Sequence, residues 1–283
     1  MENKIKDLTK MSSAVAFMFS VYWIYNFFIS EYLPASGYLR AVISLIVLYV
    51  VGFGLLLFIT KDITENEYKK EKLTFKTAVI CFFLQFSAFV VSALVRGLII
   101  FITKKIPNED NYLTFPMLFS LLFLAPVLEE LIFRYIFGKK LLKYGPSFYM
   151  LISSFCFCIV HGVSVGVATV IYTFLLGLIW SYLIVKTKNI VVTIIYHSLS
   201  NFFGGILPQI IVNASEQLFS IYFIIIIVCA VAGLVLFLIN KKEFTVDEKI
   251  FSCKNLRELF TNKGIVFLIS ATIIFMFIKS MKI

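Results

Sequence analysis

The chain is built from apolar runs of roughly twenty residues separated by short lysine clusters, and this pattern decides its fold class. A helix crossing ~30 Å of hydrocarbon needs about 20 apolar residues. Runs of that kind fall at 12–33, 39–60, 77–103, 115–138, 147–162, 166–185, 190–206, 218–239 and 264–280. The last is short and flanked by Lys279 and Lys282, so eight or nine spans are expected. Of the 283 residues, 60% are hydrophobic and 15% charged, whereas soluble domains are nearer half apolar and a quarter charged. Thirty-two Phe against 13 Gly and 6 Pro favour helices over a barrel, whose strands would alternate in short segments. The sequence predicts an all-α, polytopic transmembrane helical bundle forming one integral membrane domain over 1–283.

A net charge of +10 raises nucleic acid as a partner, but the lysines lie between apolar runs and not along one face. They read as membrane topology. With the N-terminus inside, the cytoplasmic segments hold 19 Lys and Arg and the opposite side 5, among them Arg40, Lys104 and Lys105. Every alternation agrees with the positive-inside bias, so the N-terminus is cytoplasmic. Lys4, Lys6 and Lys10 precede a long first run without a small-residue cleavage signature, which reads as an anchor and not a removable signal. Five cysteines make no C-x-x-C pair, so neither a disulfide framework nor a cysteine zinc site is indicated. Segments 61–76 and 240–263 read as solvated mixed-charge connections, and 207–217 as an outer loop opened by Pro208.

Against this background Glu129, Glu130 and Arg134 stand out inside the otherwise apolar run 115–138. Charge in hydrocarbon is costly and marks a functional site by default. Residues four apart share a helix face, so Glu130 and Arg134 form a natural ion pair, and Glu129, about 100° round the helix, is left facing elsewhere. The only two histidines, His161 and His197, also lie in apolar runs, with Phe157 four residues before the first and Asn201 four after the second. Gly162 reads as the stop of the His161 helix. At 1.5 Å per residue, Glu129 lies about 15 Å, His197 about 14 Å, Asn201 about 20 Å and His161 about 22 Å from the cytoplasmic helix ends. Tilt of ~20° absorbs that spread, so the groups can meet near mid-membrane.

A buried carboxylate beside histidines can act as a general base on water, and an imidazole with an amide N–H can donate to an oxyanion. Two histidines and a carboxylate are equally a zinc set, at Glu129, His161 and His197, with a position open for water. Both routes end in hydrolysis. The bland alternatives are helix–helix hydrogen bonding and a structural Glu–Arg lock. Serine proteolysis is disfavoured because Ser153 and Ser154 lack a glycine-flanked nucleophile context. Aspartyl proteolysis is disfavoured too, because no Asp lies in any run.

Glu129-Glu130-x-x-x-Arg134, Phe157-x-x-x-His161 and His197-x-x-x-Asn201, in that order on successive helices, resemble the CPBP family of intramembrane proteases, also called the Abi or type II CAAX prenyl endopeptidase family. The resemblance covers 115–206, the expected catalytic core. It implies a helical bundle with a conical intramembrane cavity open to cytosol and bilayer, in which Glu129 with His161 activates water. His197 and Asn201 would form the oxyanion hole, and Glu130, Arg134 and Phe157 would brace the site. The family is described both as glutamate proteases and as metalloproteases, so Zn2+ is allowed but not required. The implied partners are a membrane-associated peptide or protein and the lipid bilayer, not nucleic acid. The small size suits the bacterial type, in a bacterial cell membrane, with roles such as bacteriocin self-immunity. A second class of reading is a non-catalytic protein: an immunity scaffold, or a transporter that relays protons through the same groups.

Overall fold

The computed structural model describes residues 2–67, 69–104 and 113–282. Nine helices among them are long and apolar enough to cross a membrane. In chain order these are α1 (Glu2–Tyr32), α2 (Gly37–Thr60), α3 (Phe75–Thr103), α4 (Phe115–Tyr144), α5 (Pro146–Val165), α6 (Val167–Thr187), α7 (Ile190–Ala214), α8 (Glu216–Ile239) and, after the short α9 (Cys253–Thr261), α10 (Lys263–Lys282). No strand occurs among the described residues. The chain is the expected polytopic bundle. Lys105, counted on the outer side, lies outside the described residues.

The core helix is α5. Phe148, Tyr149, Leu151, Ile152, Cys156 and Phe157 along it are all buried. It packs along α6 and also meets α10, while α3 pairs with α8 and α1 with α2 and α10. Hydrocarbon offers no hydrophobic drive between helices, so close packing of small residues and interhelical hydrogen bonds must do the work. A Cβ on Gly177 would come within 3.0 Å of the Ser154 backbone, and one on Gly233 within 2.6 Å of the Phe83 backbone. These glycines let α6 approach α5 and α8 approach α3. Ser153 donates to the Phe133 carbonyl and Ser154 to the Met150 carbonyl. Both hydroxyls are thereby committed to the backbone.

Three local expectations are corrected. Gly162 does not end its helix: α5 continues to Val165, and the turn falls at Gly166 with φ +87°. Only glycine adopts that conformation without cost. At Gly162 the missing side chain serves packing instead, since a Cβ would lie 3.3 Å from both Val170 and Met276. The segment from 207 is not an outer loop. Helix α7 runs through a wider π turn at Phe202–Ile206 and resumes as Leu207–Ala214. Pro208 sits in the first turn of that resumed helix, where a missing N–H is tolerated. Segment 240–263 is not wholly solvated, for it contains α9, whose Asn255 and Leu259 are buried.

Residues 61–67 and 69–74 are non-helical but pinned. Asn66 N–H donates to the Lys139 carbonyl at 2.8 Å and Glu71 N–H to the Thr187 carbonyl at 2.8 Å. Lys140 donates to the carbonyls of Thr60 at 3.0 Å and Ile63 at 3.3 Å. The strap therefore links the lysine-rich ends of α4 and α6, which bear on the position of the site.

Candidate active site

Helix α4 carries the carboxylates through an irregular stretch. Its backbone widens into π turns at Ser120–Leu124 and Leu131–Ile136, on either side of a short α segment, Ala125–Glu130. Such bulges are frequent at functional sites. Part of the cause is Pro126, which has no N–H to give to the carbonyls one turn earlier. Freed carbonyls inside a bilayer must find donors. Ser198 Oγ donates to Leu122 O at 2.7 Å and Asn201 Nδ2 to Leu121 O at 2.8 Å, both from α7. The proline in α4 thus fixes the register of α7 and sets His197 beside the acids.

Four of the motif residues divide into a sealed pair, Glu130 and Arg134, and an open pair, Glu129 and His161. Glu130 and Arg134 have no exposed side-chain surface, and Arg134 Nε lies 3.3 Å from Glu130 Oε2. The i,i+4 pairing expected from the spacing is present. None of the Arg134 side-chain nitrogens has a well-directed hydrogen bond among the described residues. Aromatic faces take that place, with the guanidinium carbon 4.4 Å from the Phe157 ring centroid and 5.2 Å from that of Trp180. A desolvated cation–π contact of this kind is worth ~2 kcal/mol.

On the open side, Glu129 keeps 18% and His161 21% of their side-chain surface exposed. Glu129 Oε2 is 3.7 Å from His161 Nε2 and also 3.7 Å from His197 Nε2. The other ring nitrogens are engaged. His161 Nδ1 lies 2.7 Å from the Phe157 carbonyl. That oxygen can only accept, so Nδ1 carries the proton and Nε2 faces Glu129 with its lone pair. His197 Nδ1–H donates to Glu130 Oε1 at 3.0 Å. Outer partners of this type fix the tautomer and orientation of an imidazole. Glu129, His161 and His197 are therefore brought together, whereas the Asn201 amide is held at Leu121 with one N–H left over.

Neutral imidazoles presenting Nε2 beside a carboxylate are chemically suited to zinc. Nevertheless, no group of three His, Cys, Asp or Glu among the described residues converges closely enough to hold a metal ion.

One group at the site went unnoticed in the sequence. Trp180 on α6 stacks on His197, with centroids 4.2 Å apart and planes 23° apart, and meets the edge of Phe157 at 5.7 Å. The available signal was a single Trp in the middle of an apolar run, since a buried indole N–H requires an acceptor.

Residues 111–203 match the family described as type II CAAX prenyl endopeptidase Rce1-like. This stretch is similar to the CAAX protease (CPBP) family. All three motif pairs lie inside it, and the described residues around them include nine helices long and apolar enough to cross a membrane. Neither a curated protein nor a solved structure matches the chain.

Proposed function

We propose that the chain hydrolyses a peptide bond in a membrane-associated peptide or protein, with 115–206 as its catalytic core. The observation that supports this most is the placing of two imidazole Nε2 atoms, from two helices, each 3.7 Å from one oxygen of Glu129. That gap is too long for a direct hydrogen bond, yet one water oxygen can lie within about 2.8 Å of both the carboxylate and an imidazole. Glu129 takes one proton from this water as the water oxygen attacks the peptide carbonyl carbon, while the second hydrogen stays on that oxygen and donates a hydrogen bond to His161 Nε2. Glu129 then delivers its proton to the amide nitrogen as the C–N bond breaks, giving a free carboxyl and an amine.

His197 and the remaining Asn201 N–H stabilise the tetrahedral oxyanion. His197 offers a donor there only when both ring nitrogens are protonated, because Nδ1–H is committed to Glu130. In that form the cluster holds two carboxylates, one guanidinium and one imidazolium, and is neutral overall. Neutrality suits a site inside hydrocarbon.

In the second reading the cluster binds a peptide or relays protons without cleaving. It draws on the structural use of Asn201, whose amide satisfies the Leu121 carbonyl. Purified protein incubated with a membrane-associated peptide separates the two. Cleavage abolished by Glu129→Gln supports hydrolysis, while immunity or transport that survives Glu129→Gln without any cleavage supports binding.

A further inference from the structure

We infer that Gln85, on α3 and outside the matched stretch, is a positioning residue for catalysis that acts on His197 through Trp180; this rests on the endopeptidase reading above. Gln85 is the only Gln in the run 77–103, and it is buried, with 2% of its surface exposed. Its Oε1 accepts the indole N–H of Trp180 at 2.9 Å. It lies ten residues into α3, or about 15 Å from the helix start, the depth at which Glu129 and His197 sit.

The linkage continues from ring to ring. Trp180 is 1% exposed, and its face covers the His197 imidazole at 4.2 Å. In the plane of that imidazole, Glu130 holds Nδ1. A ring held by one in-plane hydrogen bond can still swing about that bond, and the swing moves Nε2 relative to Glu129. The stacked indole blocks it, and the Gln85 acceptor fixes the rotation of the indole in turn. Arg134 and Phe157 support Trp180 from other directions but make no hydrogen bond to its N–H. The same helix also holds the neighbour of His197, because Tyr196 Oη donates to the Ala78 carbonyl at 2.7 Å. Helix α3 thus positions both the helix bearing His197 and the ring lying on it.

An effect transmitted by orientation changes turnover more than substrate binding. The test is a double-mutant cycle on full-length protein with a membrane-associated peptide substrate, using Gln85→Met, which keeps side-chain length, and Trp180→Phe, which keeps a ring but no donor. Gln85→Met is expected to lower kcat about tenfold with KM within about twofold, and to change kcat by less than about twofold in the Trp180→Phe background. In 15N–1H spectra of Trp23→Phe protein, the remaining indole N–H resonance is expected to move on Gln85→Met. An indole resonance that moves while kcat does not, or an equal loss of kcat in the Trp180→Phe background, overturns the positioning role alone. Absence of cleavage by the unsubstituted protein overturns the endopeptidase reading and this role together.

Discussion

Glu130 and His197 lie 67 residues apart and meet within the bilayer, where Nδ1–H of the imidazole donates to Oε1 of the carboxylate at 3.0 Å. The other oxygen of Glu130 faces Arg134 at 3.3 Å. One fully buried carboxylate therefore joins the helix of the acids to the helix of His197. Breaking a buried pair by removing one partner costs ~3–5 kcal/mol, because the survivor loses its compensating charge. Arg134→Leu should destabilise the protein by about that amount. Arg134→Lys should also destabilise, since an ammonium cannot lie flat on Phe157 and Trp180. Unfolding in detergent checks both, and unchanged stability of Arg134→Leu would remove Glu130–Arg134 as the structural centre.

Asn201 and Ser198 satisfy adjacent carbonyls of α4 but are expected to separate in function. Ser198→Ala should cost ~1 kcal/mol of stability and leave turnover near normal. Asn201→Ala should cost a similar amount of stability and lower kcat by ~10²–10³, the usual effect of losing an oxyanion donor. Equal effects of the two substitutions on kcat would assign Asn201 to helix packing only.

With Glu129 acting directly as the base on water, chelation should leave turnover unchanged. Activity measured before and after exhaustive chelation checks this. Loss of activity with recovery on added zinc would mean that His161, His197 and Glu129 close around a metal during the reaction.

The strap gives a pH prediction away from the chemistry. Glu65 is half exposed and bonded to Lys139 at 3.1 Å, and that hydrogen bond holds its carboxyl below the ordinary glutamate value. A depressed carboxyl contributes stability above its unfolded pKa, ~4.3, and the contribution is lost as pH falls through the folded value. The Asn66 N–H, which donates to the Lys139 carbonyl, should keep its hydrogen-exchange protection at neutral pH and lose part of it in acid. Glu65→Gln should show the acid level at both. Protection independent of pH and of Glu65 would contradict the role of this ion pair.

The legible parts of the sequence were those governed by a single helix. Span count followed from apolar length, and the Glu130–Arg134 pair followed from i,i+4 spacing. The freed Glu129 followed from the same spacing. The features that were missed depend on two helices at once. Pro126 alone looks like a defect, and it makes sense only beside Ser198 and Asn201, which take the carbonyls around it. Gly162 looks like a helix stop, yet its bareness serves the approach of α6 and α10. Trp180 and Gln85 each bring one polar group into an apolar run, and only packing makes them partners. Helical periodicity gives the face of a residue but not what lies opposite.

The central claim is that Glu129 is the base and that His161 works with it on the same water. The most direct measurement is single-turnover cleavage of a membrane-associated peptide by the unsubstituted protein, Glu129→Gln, His161→Ala and the double variant, each shown to be folded. The account predicts losses of ~10²–10⁴ in each single variant and little further loss in the double, as for groups acting as a unit. Cleavage by Glu129→Gln at the unsubstituted rate would contradict it.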